Sequence, residues 1–174
     1  MKLAYILGEF DEFNRIAKFV LRKQPDNEEV KLLLAYQAIS NGRSYLADFY
    51  TSKLRSPTLA SQILNLRGLI SFQKGNGIEA LGILKQGLKK DKKNYALGMN
   101  LGIIYLHYKM FKAAEKHFTS MTRTFSNGYD AQLHLAIAYA AQKKLDKAKG
   151  IVANLLELFP SSSILKRMIK KVDK

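Results

Sequence analysis

The sequence predicts an all-α protein in which antiparallel helix pairs stack on one another. First, the chain has 174 residues, of which 47% are apolar, and this is enough to bury a core. Second, it has only three prolines and no alternating strand pattern, while the stretches between turn signals suit helices of about 10–14 residues. Third, similar helical segments recur with a period of about 34 residues. Together these features favour a helical repeat protein.

Small residues carry the repeat in two columns. The members of each column are one repeat apart, and the first interval is slightly shorter than the others. The first column contains Ala35, Gly68, Gly102 and Ala136, and the second contains Ala47, Ala80, Ala114 and Ala148. Their small side chains let the two helices of a pair approach closely, and larger residues fill the surrounding space. Examples in one repeat are Leu101, Tyr105, Phe118 and Met121. Because each pair leaves an apolar face, the pairs are expected to stack into a solenoid.

These columns resemble the tetratricopeptide repeat family, whose pattern is aromatic-x2-Leu-Gly-x2-Tyr, then Ala-x3-Phe, then Pro. The matches in the last two repeats are Leu101, Gly102, Tyr105, Ala114, Phe118, Leu135, Ala136, Tyr139, Ala148 and Pro160. Three residues depart from the pattern: Gly98 replaces the large first residue, Arg67 stands where leucine is usual, and Phe13 occupies a small-residue column. The resemblance extends over nearly the whole chain and implies a right-handed superhelical α-solenoid.

The predicted organisation is a single domain over residues 1–174. It consists of a partial repeat over 1–27 that begins in mid-element at Met1, repeats over 28–60, 61–94, 95–128 and 129–162, and a capping helix over 163–174. Turn signals occur at 41–43, 75–77 and 126–128. The capping helix starts at a serine N-cap and has an apolar side opposite its lysines and Arg167. The apolar residues are Ile164, Leu165, Met168, Ile169 and Val172.

The resemblance implies a partner-binding groove lined by the first helix of each pair, which we call helix A; the second is helix B. The helix A residues left over after packing are mostly apolar: Leu32, Tyr36, Ile39, Asn65, Leu69, Phe72, Met99, Asn100, Ile103, Leu106, His107, Leu133, His134 and Ile137. We expect this groove to bind an apolar or amphipathic segment. The alternative is that tight curvature buries these residues among themselves.

One binding mode of the family is excluded by these residues. Chaperone-binding members hold a carboxylate with Lys, Asn and Arg on successive A helices. The corresponding columns contain Asn65, Leu69, Asn100, Asp130 and His134. Because no lysine or arginine is present, we expect no carboxylate clamp.

The net charge of +15 is concentrated after residue 60, where the sequence contains twenty Lys and Arg but only seven Asp and Glu. Seven lysines are predicted to form an outer basic surface: Lys85, Lys89, Lys92, Lys112, Lys116, Lys143 and Lys147. Such a surface could attract nucleic acid or an anionic membrane. A solvated face without a ligand is the alternative.

The sequence offers little for catalysis, metals or cofactors, and we predict none of the three. There is no cysteine, and the histidines His107, His117 and His134 do not form a metal-binding pair. Asp130 and His134 share a helix face, but Asp130 is explained by its place in the first turn. No Gly-Lys-Ser/Thr sequence completes a phosphate-binding loop.

The predicted function is therefore a non-enzymatic scaffold or adaptor that binds another protein or peptide segment. A basic face docking nucleic acid or membrane, and a regulatory array within a larger protein, remain alternatives. The incomplete first pair suggests self-association. No apolar run reaches the ~20 residues of a membrane span, so we expect a soluble protein and favour the cytoplasm, although the sequence does not decide the compartment.

Overall fold

The computed structural model describes residues 8–172, and all regular elements in that range are helical. The described range contains ten α-helices and one short 3-10 helix, which confirms the all-α prediction. The chain divides into two compact units, unit 1 (Met1–Lys92) and unit 2 (Lys93–Lys174). The helix predicted to begin at Met1 falls on residues 1–7, which lie outside the described residues. The single domain and the repeat boundaries stay predictions.

Unit 1 contains five of the α-helices. They are α1 (Phe10–Lys23), α2 (Glu28–Ser40), α3 (Ser44–Thr51), α4 (Ala60–Gln73) and α5 (Gly77–Lys90), with the 3-10 helix Pro57–Leu59 before α4. Helix α2 packs on α3, α4 packs on α5, and the A helices α2 and α4 also contact each other. A core cluster of unit 1 is formed by apolar residues of α2, α3 and α4. Ala35, Ala47 and Ala80 are fully buried, as the close approach of paired helices requires.

Local polar contacts fix the starts of these helices. The side chain of Asn27 caps α2 by accepting a hydrogen bond from the backbone N–H of Val30 at 3.0 Å. Glu28 then accepts hydrogen bonds from the backbone N–H groups of Arg55 and Ser56 at 2.9 and 2.8 Å. The loop after α3 is thereby held against the start of α2.

Unit 2 contains the other five α-helices. They are α6 (Tyr95–His107), α7 (Phe111–Thr124), α8 (Tyr129–Ala141), α9 (Leu145–Leu158) and α10 (Ser163–Val172). Consecutive helices contact each other, and the A helices α6 and α8 also touch. Ala114, Ala136, Ala148 and Phe118 are fully buried. The small-residue columns therefore lie where paired helices meet, as the sequence predicts.

The turn from each A helix to its B helix uses one residue with positive φ. Gly42 and Gly75 take this position in unit 1, with φ of 70° and 85°. Lys109 and Lys143 take it in unit 2, with φ of 56° and 59°. A lysine adopts this left-handed conformation at a steric cost that glycine does not have. Of these four A-to-B turns, the turn signals in the sequence marked the two that contain Gly42 and Gly75.

Helix α10 caps unit 2 as predicted, with one difference. Leu165 is buried, and Met168 and Ile169 pack partly buried on the core of α8 and α9. The Ser162 hydroxyl accepts a hydrogen bond from the backbone N–H of Leu165 at 3.4 Å, so the serine N-cap is present. Ile164, which the sequence places on the apolar side of this helix, is about half exposed to solvent and does not belong to the buried part of that side. The side chain of Val172 lies outside the described residues.

Candidate functional site

Two isoleucines occupy equivalent positions on the neighbouring A helices of unit 2. Ile103 on α6 and Ile137 on α8 are one repeat apart in the sequence, and each is 37% exposed. Exposed β-branched residues at the same position of two contacting helices create a local apolar surface. With Asn100, Leu106, His107, Leu133 and His134, they form what we call the A-helix face of unit 2.

The remaining residues of this face are partly covered. Leu106, Leu133, Asn100 and His134 are half-buried, whereas His107 is exposed beside Tyr108, with ring centroids 5.1 Å apart. The face therefore combines apolar side chains with one amide and two imidazoles. That composition suits an apolar or amphipathic protein segment better than a charged small molecule.

His134 is held by the fold and does not form a catalytic pair with Asp130. Its Nδ1 donates a hydrogen bond to the backbone carbonyl of Asp130 at 2.7 Å, and its ring stacks on Phe118 with centroids 5.4 Å apart. The contact is with the main chain and not with the carboxylate. An oriented general base is therefore not assembled at this position.

Four residues predicted for the groove are buried. Leu32 and Ile39 belong to the core of unit 1, and Asn65 and Met99 are also covered. The prediction that they line an accessible groove is wrong for these four side chains, because neighbouring helices cover the side of the A helix on which they lie. The alternative, in which tight curvature buries the groove residues among themselves, stays a prediction.

The unit 1 residues that remain at the surface are only partly exposed. Tyr36, Leu69 and Phe72 are half-buried, and Tyr36 and Leu69 pack against the unit 1 core. The Asn65 amide donates to the Tyr36 hydroxyl at 3.3 Å, and that hydroxyl in turn contacts the backbone carbonyl of Gln62 at 3.5 Å. These contacts tie α2 to α4. Tyr36, Leu69 and Phe72 are each less exposed than Ile103 and Ile137 of unit 2.

A cavity of about 830 Å³ lies in unit 2 where the ends of α7 and α9 meet the starts of α8 and α10. Its walls contain two edge-to-face aromatic pairs, Tyr95–Phe125 and Tyr129–Phe159, with ring centroids 5.1 and 5.0 Å apart. Leu133 lines the cavity and also belongs to the A-helix face. Sequence reasoning missed this cavity, although the second aromatic pair occupies the same positions in the repeat as the first.

The lining of this cavity carries little charge. Burial and the nearby negative charge of Asp130 raise the pKa of the Tyr95 hydroxyl, which therefore keeps its proton at neutral pH. Asp130 is the charged residue in the wall, and the rest of the lining is apolar, hydroxyl, amide or backbone. The cavity can therefore accept a large apolar side chain.

His117 has a structural contact that the sequence did not reveal. Its Nε2 donates a hydrogen bond to the backbone carbonyl of Gly98 at 2.8 Å, which joins α7 to α6. Burial lowers the pKa of His117, and the hydrogen bond to Gly98 opposes that shift only in part. The imidazole is neutral in the folded protein at pH 7.

We expect unit 2 to lose stability between about pH 6.5 and the lower pKa of folded His117. In this window the unfolded chain takes up a proton that the folded chain does not, so the free energy of unfolding falls as the pH falls. The substitution His117→Gln should reduce this loss, as measured by urea denaturation at pH 7.5 and 5.5. The exposed His107→Gln provides the control. An equal loss in His117→Gln and wild type would contradict the prediction.

The seven lysines of the predicted basic surface are all exposed. Lys85, Lys89 and Lys92 lie on α5 and just after it in unit 1. Lys112, Lys116, Lys143 and Lys147 lie on α7, in the α8–α9 turn and on α9 in unit 2. Each unit therefore carries its own group of outward lysines.

Within residues 8–172, no group of three or more His, Asp or Glu side chains is placed to hold a metal ion. In the same part of the chain, every helix is too short or too polar to cross a bilayer.

Comparison with known proteins gives matches in both sequence and structure. No family model matches the sequence. An alignment over 107 residues, which covers 57% of this chain and 13% of the relative, shows 27% identity to the transcription activator GutR of Bacillus subtilis (strain 168). This chain therefore corresponds to only a small part of the length of that relative.

Solved structures resemble this chain over most of its length. A chain of the APC/C hetero-tetramer Cut9–Hcn1 superposes with a TM-score of 0.83 at 22% identity, covering 98% of this chain and 34% of that one. The TPR protein TTC0263 of Thermus thermophilus gives 0.78 at 17% identity, covering 99% and 96%. The first TPR of Spaghetti (RPAP3), bound to the HSP90 peptide SRMEEVD, gives 0.62 at 23% identity, covering 69% and 95%.

Proposed function

We propose that this chain, which has the fold of tetratricopeptide repeat proteins, is a non-enzymatic scaffold that binds an apolar or amphipathic protein segment through the A-helix face of unit 2. Structures with the same fold hold protein partners: Cut9 is assembled with Hcn1, and the first TPR of Spaghetti is bound to an HSP90 peptide. These likenesses support a protein-interaction role. Support for the particular binding surface comes from the residues of this chain.

The observation that carries the proposal is the matched exposure of Ile103 and Ile137 on the contacting helices α6 and α8. Their apolar surface continues through Leu133 to the aromatic cavity. Fully burying such a side chain contributes about 1.5–3 kcal/mol, although buried area alone does not set affinity. The segment would lie along the A-helix face and place one large apolar side chain in the cavity.

The composition of the A-helix face of unit 2 also argues against an acidic peptide as its ligand. The HSP90 peptide bound by Spaghetti contains two glutamates and an aspartate. The A-helix face of unit 2 contains no lysine or arginine with which to pair such groups. We therefore expect partners that present leucine, isoleucine or aromatic side chains at helical or extended spacing.

The double substitution Ile103→Glu/Ile137→Glu tests the proposal. A charge at each position should resist desolvation in the complex and lower partner capture at least about tenfold, equivalent to ~1.4 kcal/mol. Capture from lysate, quantified by mass spectrometry, compares the variant with wild type. Both residues are already partly solvated, so the helical circular dichroism should be retained.

Ile78→Glu is the matched control for this experiment. Ile78 lies in the first turn of α5 in unit 1, is 92% exposed and is not on an A helix. This variant should capture the same partners as wild type. Capture that survives in the double variant, or that is lost equally in Ile78→Glu, would remove the A-helix face as the binding surface. Leu69→Glu is a poorer probe, since Leu69 packs against the core of unit 1.

Two other predictions remain proposals. The partial match to GutR supports the idea that such an array can be one part of a larger protein. Self-association through the incomplete first pair involves residues before Gly8, outside the described range.

A further inference from the structure

We propose that a cleft on the helix-B side of unit 2 binds an extended acidic protein segment. The cleft has a volume of about 700 Å³ and lies between α7, the end of α8 and the start of α9. It shares no residue with the A-helix face. The inference therefore goes beyond the proposed function and does not depend on it.

The charge of the cleft is strongly positive. Four basic side chains line it, Lys112, Lys116 and Arg123 of α7 and Lys144 next to α9, against a single carboxylate, that of Glu115. Glu115 accepts hydrogen bonds from the Lys144 ammonium at 2.6 Å and the Gln142 amide at 2.8 Å. Its negative charge is thus compensated within the wall, and an incoming anion meets mainly the row of cations on α7.

The hydrogen bonds at Glu115 also preorganise the cleft. The Lys144 hydrogen bond is the largest cause of the lowered pKa of Glu115, with a further contribution from Gln142. Gln142 also reaches the backbone carbonyl of Phe111 at 3.3 Å, which joins the end of α8 to the start of α7. Glu115 and Lys144, which line the cleft, are therefore held in place before a ligand arrives, Glu115 with the help of Gln142, and little ordering of these two groups opposes binding.

The spacing of the α7 side chains matches that of an extended chain. Lys112, Lys116 and Ser120 follow each other at intervals of four residues, a rise of about 6 Å on a helix. Alternate side chains of an extended peptide are separated by about 6.6 Å. A segment with Asp or Glu at every second position can therefore pair its carboxylates with Lys112 and Lys116, hydrogen-bond to Ser120 and reach Arg123 beyond it.

The same cleft is poorly suited to nucleic acid. Single-stranded nucleic acids are held largely by bases stacked on exposed aromatic faces. The ring of Tyr139 is the aromatic group in this wall, and the ammonium groups of Lys144 and Lys147 lie 5.7 and 5.4 Å from its centroid. These cations occupy the ring, so it is not free for stacking by a base. Protein carboxylates, which need no stacking surface, fit the cleft better.

Fluorescence anisotropy on the full chain at physiological salt tests this proposal. The probe is an octapeptide of alternating glutamate and serine with a neutral fluorophore, and the same peptide with glutamine in place of glutamate is the ligand control. Lys112→Glu/Lys116→Glu should weaken binding of the acidic peptide about tenfold or more. The matched control is Lys85→Glu/Lys89→Glu, which changes the net charge equally at the same four-residue spacing on the B helix α5. It should change affinity less than about twofold.

Several outcomes would overturn the proposal. These are equal losses in the two double variants, equal binding of the glutamine peptide, absence of saturable binding, or tighter binding of a single-stranded or duplex oligonucleotide with the same fluorophore. The neutral pair Lys112→Gln/Lys116→Gln guards against misfolding by charge reversal. With wild-type circular dichroism it should still weaken the acidic peptide about threefold, and unchanged affinity in this variant would also overturn the proposal.

Discussion

Replacing Gly102 with alanine should lower the free energy of unfolding of unit 2 by about 2–3 kcal/mol. A Cβ at this position would overlap Cζ of Phe118 and lie 2.6 and 2.8 Å from the adjacent ring carbons. The ring is fully buried, stacked on His134 and in edge contact with His117, so it has no space into which to move. Helices α6 and α7 would have to separate, and their packing would be lost.

Gly150→Ala is the matched control in the same unit. Gly150 lies in α9, is exposed, and a Cβ there would meet no atom within 4 Å. This substitution should raise the free energy of unfolding by about 0.5–1 kcal/mol, because alanine favours the helix over glycine. Urea denaturation followed by circular dichroism measures both variants. A stabilised Gly102→Ala would contradict the close approach of α6 and α7.

The close contact of Gly102 and Phe118 shows which part of the fold the sequence determines. Both residues sit at repeat positions, and the sequence predicted that small residues let the paired helices approach while larger residues, Phe118 among them, fill the surrounding space. Close packing of two helices imposes that pairing regardless of what surrounds them. The burial of Ala35, Ala80, Ala114 and Ala148 follows from the same requirement.

The accessible surface was harder to predict, because the A helices are apolar on nearly all sides. Periodicity identifies a buried face only when a polar face opposes it. In α2 and α4 it could not show that Leu32, Ile39 and Asn65 would be covered while Leu69 would stay partly exposed. Coverage depends on neighbouring helices, and their side chains become neighbours only in the folded unit.

The turns and the basic cleft show a second limit. Lys109 and Lys143 adopt positive φ at positions where earlier repeats have glycine, because helix packing overrides the local preference of lysine. The cleft depends on contacts such as that of Glu115 with Lys144, which are far apart in the sequence. Alignment of the repeats could have predicted the turn conformation. The ion pair required the folded arrangement of α7 and α9.

Replacing Phe118 with alanine should have the largest effect on stability, a loss of about 3–5 kcal/mol. The ring fills the space between α6 and α7 beside Gly102 and supports the imidazole of His134. Its removal leaves a cavity that the fully buried surroundings can close only partly. Thermal and urea denaturation should both report the loss, and the aromatic contact that orients His134 should also disappear.

Phe159→Ala is the control for loss of an aromatic ring at the surface. Phe159 is 41% exposed and makes an edge-to-face contact with Tyr129. Its removal should cost about 1 kcal/mol, since much of the ring is already in water and the aromatic pair contributes about 0.5–1.5 kcal/mol. Comparable losses in the two phenylalanine variants would show that Phe118 does not occupy a tightly packed interior.

A double-mutant cycle joins the two predictions. Once Phe118 is alanine, the Cβ of Gly102→Ala has no ring to strike and gains the helix preference of alanine, so the second substitution should cost nothing or stabilise. The interaction energy between the two sites should therefore be about 2–4 kcal/mol. Additive losses would place the cost of Gly102→Ala outside this contact. A large interaction energy would show that the cost of Gly102→Ala arises from the close approach of α6 and α7 at the Phe118 ring.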